Sequence, residues 1–221
     1  MPVSGGSRGT YQMMQYVILA ILWVLWCGLH SALIASPVTN HVKARFPEGH
    51  RYYRILYNVI SVMTLIHVIL YSMSISGPLI IRYEGSGRLI QLSLFLIAHI
   101  FFVAGAKSYD IPQFLGVRQI RGENTCNVLT DDCSLDTTGI LGVVRHPWYT
   151  GGMIIIWARN LDMAGLVTNL MLTGYFIIGT YLEERKLVSQ FGQEYVDYQQ
   201  RVSKFVPTKW IAGKLWKRRK E

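Results

Sequence analysis

Charge is scarce in this chain: only 16% of its 221 residues are Asp, Glu, Lys or Arg, and 22 basic side chains stand against 13 acidic ones. A soluble domain carries charge on about a quarter of its residues, so a water-facing globule is a poor description. Cysteine is sparse as well. Cys27, Cys126 and Cys133 form neither a Cys-x-x-Cys pair nor a dense disulfide layout, which gives a metal or redox centre no support. The Gly-rich dinucleotide fingerprint, the P-loop, the zinc-protease pattern and any internal repeat are missing too. A Rossmann-type cofactor site is thereby unsupported.

What the chain has in quantity is apolar sequence, with 51% hydrophobic residues and a mean hydropathy of +0.26. A hydrocarbon core ~30 Å thick takes roughly 20 helical residues to cross. Residues 13–35, 55–75 and 89–106 are runs of that kind, each bounded by Pro, Gly or charge. Residues 148–182 are again mostly apolar but too long for one span, and Arg159, Asn160, Asp162 and Gly165 interrupt them. A helical hairpin with arms of about 16 to 18 residues is the expectation. The predicted fold is therefore all-α, a polytopic membrane protein of about five transmembrane helices. Its expected parts are a disordered tail over 1–12, three spans over 13–106, and a loop, hairpin and C-terminal core over 107–221.

Basic residues then orient the spans. Lys43, Arg45, Arg51 and Arg54 fall in the first connection, and Lys107, Arg118, Arg121 and Arg145 in the third. The positive-inside rule makes both cytoplasmic, with the N-terminus outside and the C-terminus in the cytoplasm. A net charge of +9 does not point to nucleic acid, because the basic residues are scattered between apolar runs and gathered in the tail KWIAGKLWKRRK. That pattern suits anionic lipid headgroups. In the cytoplasmic loop, Cys126 and Cys133 are expected as free thiols.

The segment GILGVVRHPWYTGG sets Arg145, His146 and Pro147 against an apolar run. Proline suits the first turn of a helix, whose free amides favour an anion. His146 and Tyr149 lie three apart on that turn, while Gly151 and Gly152 leave room for a close approach. An interfacial Arg/Trp/Tyr belt is the plainer explanation. Glu183 and Glu184 follow at the end of the last run, where acids are costly unless paired or functional, and Arg185 and Lys186 offer pairing. Beyond them, Phe191, Tyr195 and Tyr198 recur at helical spacing before Pro207, which reads as an amphipathic interfacial helix.

The order RHPWY at a helix start, an apolar hairpin, then EERKLVSQFGQEYVDYQQRVSKFVP resembles the isoprenylcysteine carboxyl methyltransferase and phospholipid methyltransferase superfamily of integral membrane enzymes. GLHSALIASP and YDIPQFLGVRQI look like the branch containing methanethiol S-methyltransferases and nitric-oxide-reduction-associated membrane proteins. The resemblance implies S-adenosylmethionine as methyl donor at the cytoplasmic face, bound by His146, Tyr149, Glu183 and Glu184. The aromatic faces of Trp148, Tyr149, Tyr195 and Tyr198 are candidates for stabilising its sulfonium. The expected acceptor is small or lipophilic, preferably a thiol. Arg118 would then favour the thiolate, and Asp110 would take a proton.

Two rivals stand beside that expectation. One is a carboxyl methyltransferase acting on a prenylated or lipid-like substrate. The other is a haem-binding or accessory membrane protein of nitrogen-oxide metabolism, for which His67 and His99 on separate spans would be ligands. Arg159 and Asp162 are spaced for an i,i+3 ion pair at the hairpin turn.

Overall fold

A computed structural model describes residues 5–123 and 134–218, and Cys126 and Cys133 lie outside them. Helices follow one another as α1 (Gly5–Ile34), α2 (Ser36–Arg45), α3 (His50–Ser74), α4 (Gly87–Ser108), α5 (Ile111–Leu115) and α6 (Val117–Ile120). A 3-10 turn over Gly139–Gly142 leads to α7 (Pro147–Trp157), α8 (Met163–Phe191), α9 (Gln193–Arg201) and α10 (Thr208–Arg218). Among the described residues the only β-pairing is two isolated bridges. The chain is thus an all-helical polytopic membrane protein.

Four helices among the described residues are long and apolar enough to cross a bilayer: Gly9–Ile34 within α1, then α3, α4 and α8. The two arms over 148–182 are unequal, α7 having 11 residues and α8 having 29. At 1.5 Å per residue α7 is roughly 16 Å long, about half a hydrocarbon core. Pro147 starts it and the Arg159–Asp162 turn ends it, so apolar composition overstated its reach. α8 runs past Leu182 because Glu184 finds partners there. The first helix also starts earlier than Met13: residues 5–12 contain no proline, and helix propagates into them from the apolar run.

The chain divides into two compact units. The first comprises Met1–Gly85 and Arg159–Tyr175. Its core is Leu19, Trp23, Val68 and Ala164, with Tyr16, Leu65, Tyr71, Val167 and Met171 packed against them. Polar groups inside apolar helices must find partners in the protein, and here they do. The Trp23 indole donates to Thr168 Oγ1 at 3.1 Å, and the Trp26 indole to the Ser61 carbonyl at 3.0 Å. His30 meets the Tyr57 hydroxyl at 2.8 Å and the Ser61 hydroxyl at 3.2 Å, an inter-helix bonding role. His67 instead bonds the Met63 carbonyl of its own helix at 2.7 Å. Asp162 accepts from Gly165 N at 2.8 Å and Gly77 N at 2.7 Å, while Arg159 donates to Asn169 Oδ1 at 3.3 Å. The suggested Arg159–Asp162 ion pair gives way to a helix cap, because the free amides at the start of α8 compete for the same carboxylate.

The second unit comprises Ser86–Ala158 and Phe176–Glu221. Two glycines bring α4 and α7 together. A Cβ on Gly151 would come within 3.1 Å of Phe102 and 3.2 Å of the Ala98 carbonyl. A Cβ on Gly105 would lie 2.6 Å from the Trp148 indole, which donates to the Phe102 carbonyl at 3.1 Å. The close approach expected at Gly151 and Gly152 is therefore made by the protein itself, with Phe176 at 3.4 Å from a Gly152 Cβ. At the other end of α8, Gly192 takes φ +58°, a left-handed turn that glycine allows, and α9 turns its Tyr195 and Tyr198 into a core with Val202. The segment read as an amphipathic helix before Pro207 contains α9, with Tyr195 and Tyr198 buried on one face and most of its polar side chains exposed, and a separate α10 follows Pro207.

The Gly105–Trp148 contact leaves no room for a methyl group. Gly105→Ala should destabilise the protein by about 1–3 kcal/mol through displacement of the indole, read as a lower thermal midpoint in detergent together with altered tryptophan fluorescence.

Candidate functional site

The candidate site lies wholly in the second unit, where three stretches distant in sequence meet: 144–146, the Glu183–Glu184 pair of α8, and 199–204. Backbone pairing sets the first against the third. Arg145 N donates to the Ser203 carbonyl at 2.9 Å and His146 N to the Lys204 carbonyl at 3.2 Å. The Tyr198 hydroxyl adds a bond to the Leu141 carbonyl at 2.7 Å, and Thr150 Oγ1 one to Phe205 O at 3.2 Å. Pro147 at the first position of α7 leaves His146 just outside the helix, where its ring is free to point along α8.

Glu184 is the hub. It is buried, and its Oε1 receives Arg145 Nε and Nη2, each at 2.8 Å, and His146 Nε2 at 3.1 Å. Its Oε2 receives Lys204 Nζ at 3.0 Å and Gln199 Nε2 at 3.1 Å. Arg145 spends its remaining donor on the carbonyls of Gln199 and Val202. A carboxylate out of water is tolerated only when its lone pairs are filled in this way.

Glu183 is placed differently. Its Oε2 is buried with no hydrogen-bond partner, and His146 Nδ1 lies 3.7 Å away. The His146 ring meets Tyr149 edge-on at 5.5 Å, and Tyr149 meets Phe176 in the same manner at 5.6 Å. Around this space stand three phenols, Tyr195 and Tyr198 buried and Tyr109 partly buried. Burial foremost, and then the Glu183 carboxylate, push the Tyr109 hydroxyl well above its ordinary pKa. Burial and then Glu184 do the same to Tyr195, and burial raises Tyr198 against the opposing pull of Arg145. All three are neutral donors at physiological pH. A buried carboxylate oxygen without a hydrogen-bond partner is a place where a positive charge would be stabilised.

Of the residues singled out from sequence, His146, Tyr149, Glu183 and Glu184 come together here. Asp110 and Arg118 come together with each other, at 2.8 Å. Asp110 is buried and its Oδ1 also caps α5 by accepting from Gln113 N at 2.9 Å. Its neighbour Tyr109 packs edge-on against Trp148 at 4.7 Å. Sequence reasoning did not reach Lys204, Gln199 or Tyr109. All three lie in stretches that carry the resemblance, Tyr109 at the start of YDIPQFLGVRQI and Gln199 and Lys204 between Glu183 and Pro207, but only the folded chain shows what they touch.

A family profile described as NnrU protein matches residues 18–213. The chain is 28% identical over 202 residues to a methanethiol S-methyltransferase of Pseudomonas sp. (strain GM41(2012)), a match covering 91% of this chain and 60% of that protein. It is 40% identical over 78 residues to a methanethiol S-methyltransferase of Pseudomonas deceptionensis, covering 35% and 30% of the two chains. With methanethiol S-methyltransferase 1 of Bradyrhizobium diazoefficiens it shares 45% identity over 65 residues, or 29% and 23%. Each match covers 60% or less of the curated relative's own length. No solved structure gives a significant match. Since the profile runs from within α1 to within α10, taking in all four long helices and the Glu184 hub, the chain belongs to the NnrU protein family.

Proposed function

We propose that the protein is an integral membrane methyltransferase that uses S-adenosylmethionine and methylates a small thiol. The observation that carries this reading is the contrast between the two adjacent glutamates. Glu184 is saturated by Arg145, His146, Lys204 and Gln199, whereas Glu183 keeps a buried, unmatched oxygen beside His146. Bound S-adenosylmethionine supplies a methyl group on a positively charged sulfur, and it carries an ammonium group besides. A free carboxylate oxygen among aromatic rings fits that charge.

In this reading Glu183 holds the donor's positive charge, and Tyr149 and His146 form the wall next to it. Glu184 fixes the His146 ring from the opposite nitrogen, so that Nδ1 remains turned toward Glu183. Tyr109, neutral and partly buried, offers a hydroxyl without adding charge. The side chains contribute position and exclusion of water, which are the main needs of a displacement at a methyl carbon. Asp110 and Arg118, already bonded to each other, act as positioning residues: they secure the turn that sets Tyr109 against Trp148. The thiol acceptor is supported by the name shared by the curated relatives. The basic residues Lys107, Arg118, Arg121 and Arg145 favour the cytoplasmic side for the donor.

Calorimetry of the detergent-purified protein with S-adenosylmethionine tests the donor. Binding is expected, and Glu183→Gln should weaken it about tenfold or more, the worth of one charge-assisted contact. No heat at millimolar donor would sink the methyltransferase reading, and an unchanged affinity in the variant would remove Glu183 from the site.

The two glutamates should separate in stability. Glu184→Ala leaves Arg145 and Lys204 uncompensated and should cost about 3–5 kcal/mol, whereas Glu183→Gln should stay within about 0.5 kcal/mol. Equal losses in thermal denaturation would contradict the division of roles. An acceptor panel of methanethiol, prenylcysteine and phosphatidylethanolamine should show transfer to the first; transfer to prenylcysteine alone would replace the thiol with a carboxyl acceptor.

A further inference from the structure

Within the second unit a cavity of about 430 Å³ opens between the 137–142 segment, the end of α9 and α10. It is lined by Thr137, Tyr198, Arg201, Trp210 and Lys214, with Gly142 and Gly213 leaving space in its wall. The volume falls in the range of small-ligand sites, roughly 300–1,000 Å³. Nothing in the proposed chemistry uses it.

Its charge is positive. Arg201 and Lys214 make no ion pair among the described residues: Arg201 Nε donates to its own helix at Asp197 O, 3.3 Å away, and Lys214 Nζ sits 4.1 Å above the Trp210 ring. The acids on the neighbouring elements are engaged otherwise. Asp136 Oδ1 accepts from the amide and hydroxyl of Thr138 at 2.8 and 2.7 Å, and Asp197 Oδ1 accepts from Gln193 at 2.8 Å. Lys209 Nζ bonds the carbonyls of Gln199 and Gln200. Two cations without an ion-pair partner among the described residues, on a cavity walled by Tyr198 and Trp210, suit an anion.

α10 identifies the kind of anion. Trp210, Gly213 and Lys214 share the face that lines the cavity, and beyond it Ile211, Leu215 and Trp216 are exposed at 44%, 56% and 63%. A free inorganic anion has no use for exposed tryptophan, isoleucine and leucine, but a lipid whose headgroup enters the cavity brings acyl chains for them. Tryptophan and lysine on one short helix are the composition of the membrane interface. We infer that this cavity binds the phosphate headgroup of an anionic phospholipid, held by Arg201 and Lys214, while α10 lies in the interface.

Fluorescence titration of the purified full chain with short-chain phosphatidylglycerol and phosphatidylcholine tests this, Trp210 serving as the reporter. Phosphatidylglycerol should bind more tightly, and the double variant Arg201→Gln with Lys214→Gln should lose at least about tenfold of that preference, each cation near a phosphate surface contributing ~1 kcal/mol. Both positions are exposed, and the circular dichroism of the variant should match the parent. A control pair, Arg185→Gln with Lys186→Gln, removes the same charge elsewhere and should leave the preference intact. Equal binding of the two lipids, an equal loss in the control pair, or full competition by inorganic phosphate at the lipid's own concentration would each overturn the inference. The readout is lipid binding, so it stands or falls apart from the methyl-donor reading.

Discussion

A carboxylate held away from water has to be answered on every lone pair, and in this protein the answer to Glu184 organises the second unit. Arg145, His146, Lys204 and Gln199 come from segments nearly sixty residues apart at the extremes, and none of them belongs to the helix that carries the glutamate. Satisfying the charge therefore forces the start of α7, the far part of α8 and the end of α9 into one arrangement. The backbone pairing of Val144 with Ser203 and the Arg145 bonds to the 199 and 202 carbonyls follow from the same demand. His146 gains a fixed orientation as a by-product, and Glu183, one residue away, keeps a buried oxygen with no hydrogen-bond partner.

The first unit meets the same constraint with neutral groups. Its buried polar contacts are indole to hydroxyl, indole to carbonyl and imidazole to phenol, as at Trp23, Trp26 and His30. Such bonds carry no net charge into an apolar setting, so each is satisfied by one or two partners where Glu184 takes four residues. Charge appears at the Arg159–Asp162 turn, where Asp162 is taken by two backbone amides.

Much of this was legible before any coordinates. Apolar runs located the four long helices, the last as the second arm of the hairpin, and the residue types around RHPWY and the paired glutamates located the cluster. Three things were not legible, for separable reasons. The length of α7 depends on a proline and a polar turn, and apolar composition alone reads the same in a half-span as in a whole one. The inequality of Glu183 and Glu184 depends on Lys204 and Gln199, which carry no spacing signal of their own and enter only through tertiary contact. The split of the C-terminal segment into α9 and α10 hinges on Val202 to Pro207 leaving the helix to pair with 144–146, a long-range preference that helical periodicity cannot express.

The unbroken run of α8 makes it a ruler. Glu184 lies 21 residues after Met163, which at 1.5 Å per residue is about 31 Å, the thickness of a hydrocarbon core. By length and composition alone, α8 can cross a hydrocarbon core before it reaches its two glutamates. A single residue added or removed between Phe176, which packs against Tyr149 and Gly152, and the glutamates would turn both carboxylates by about 100° about the axis, away from Arg145 and His146. The register of this helix is therefore as much a part of the site as the side chains it carries.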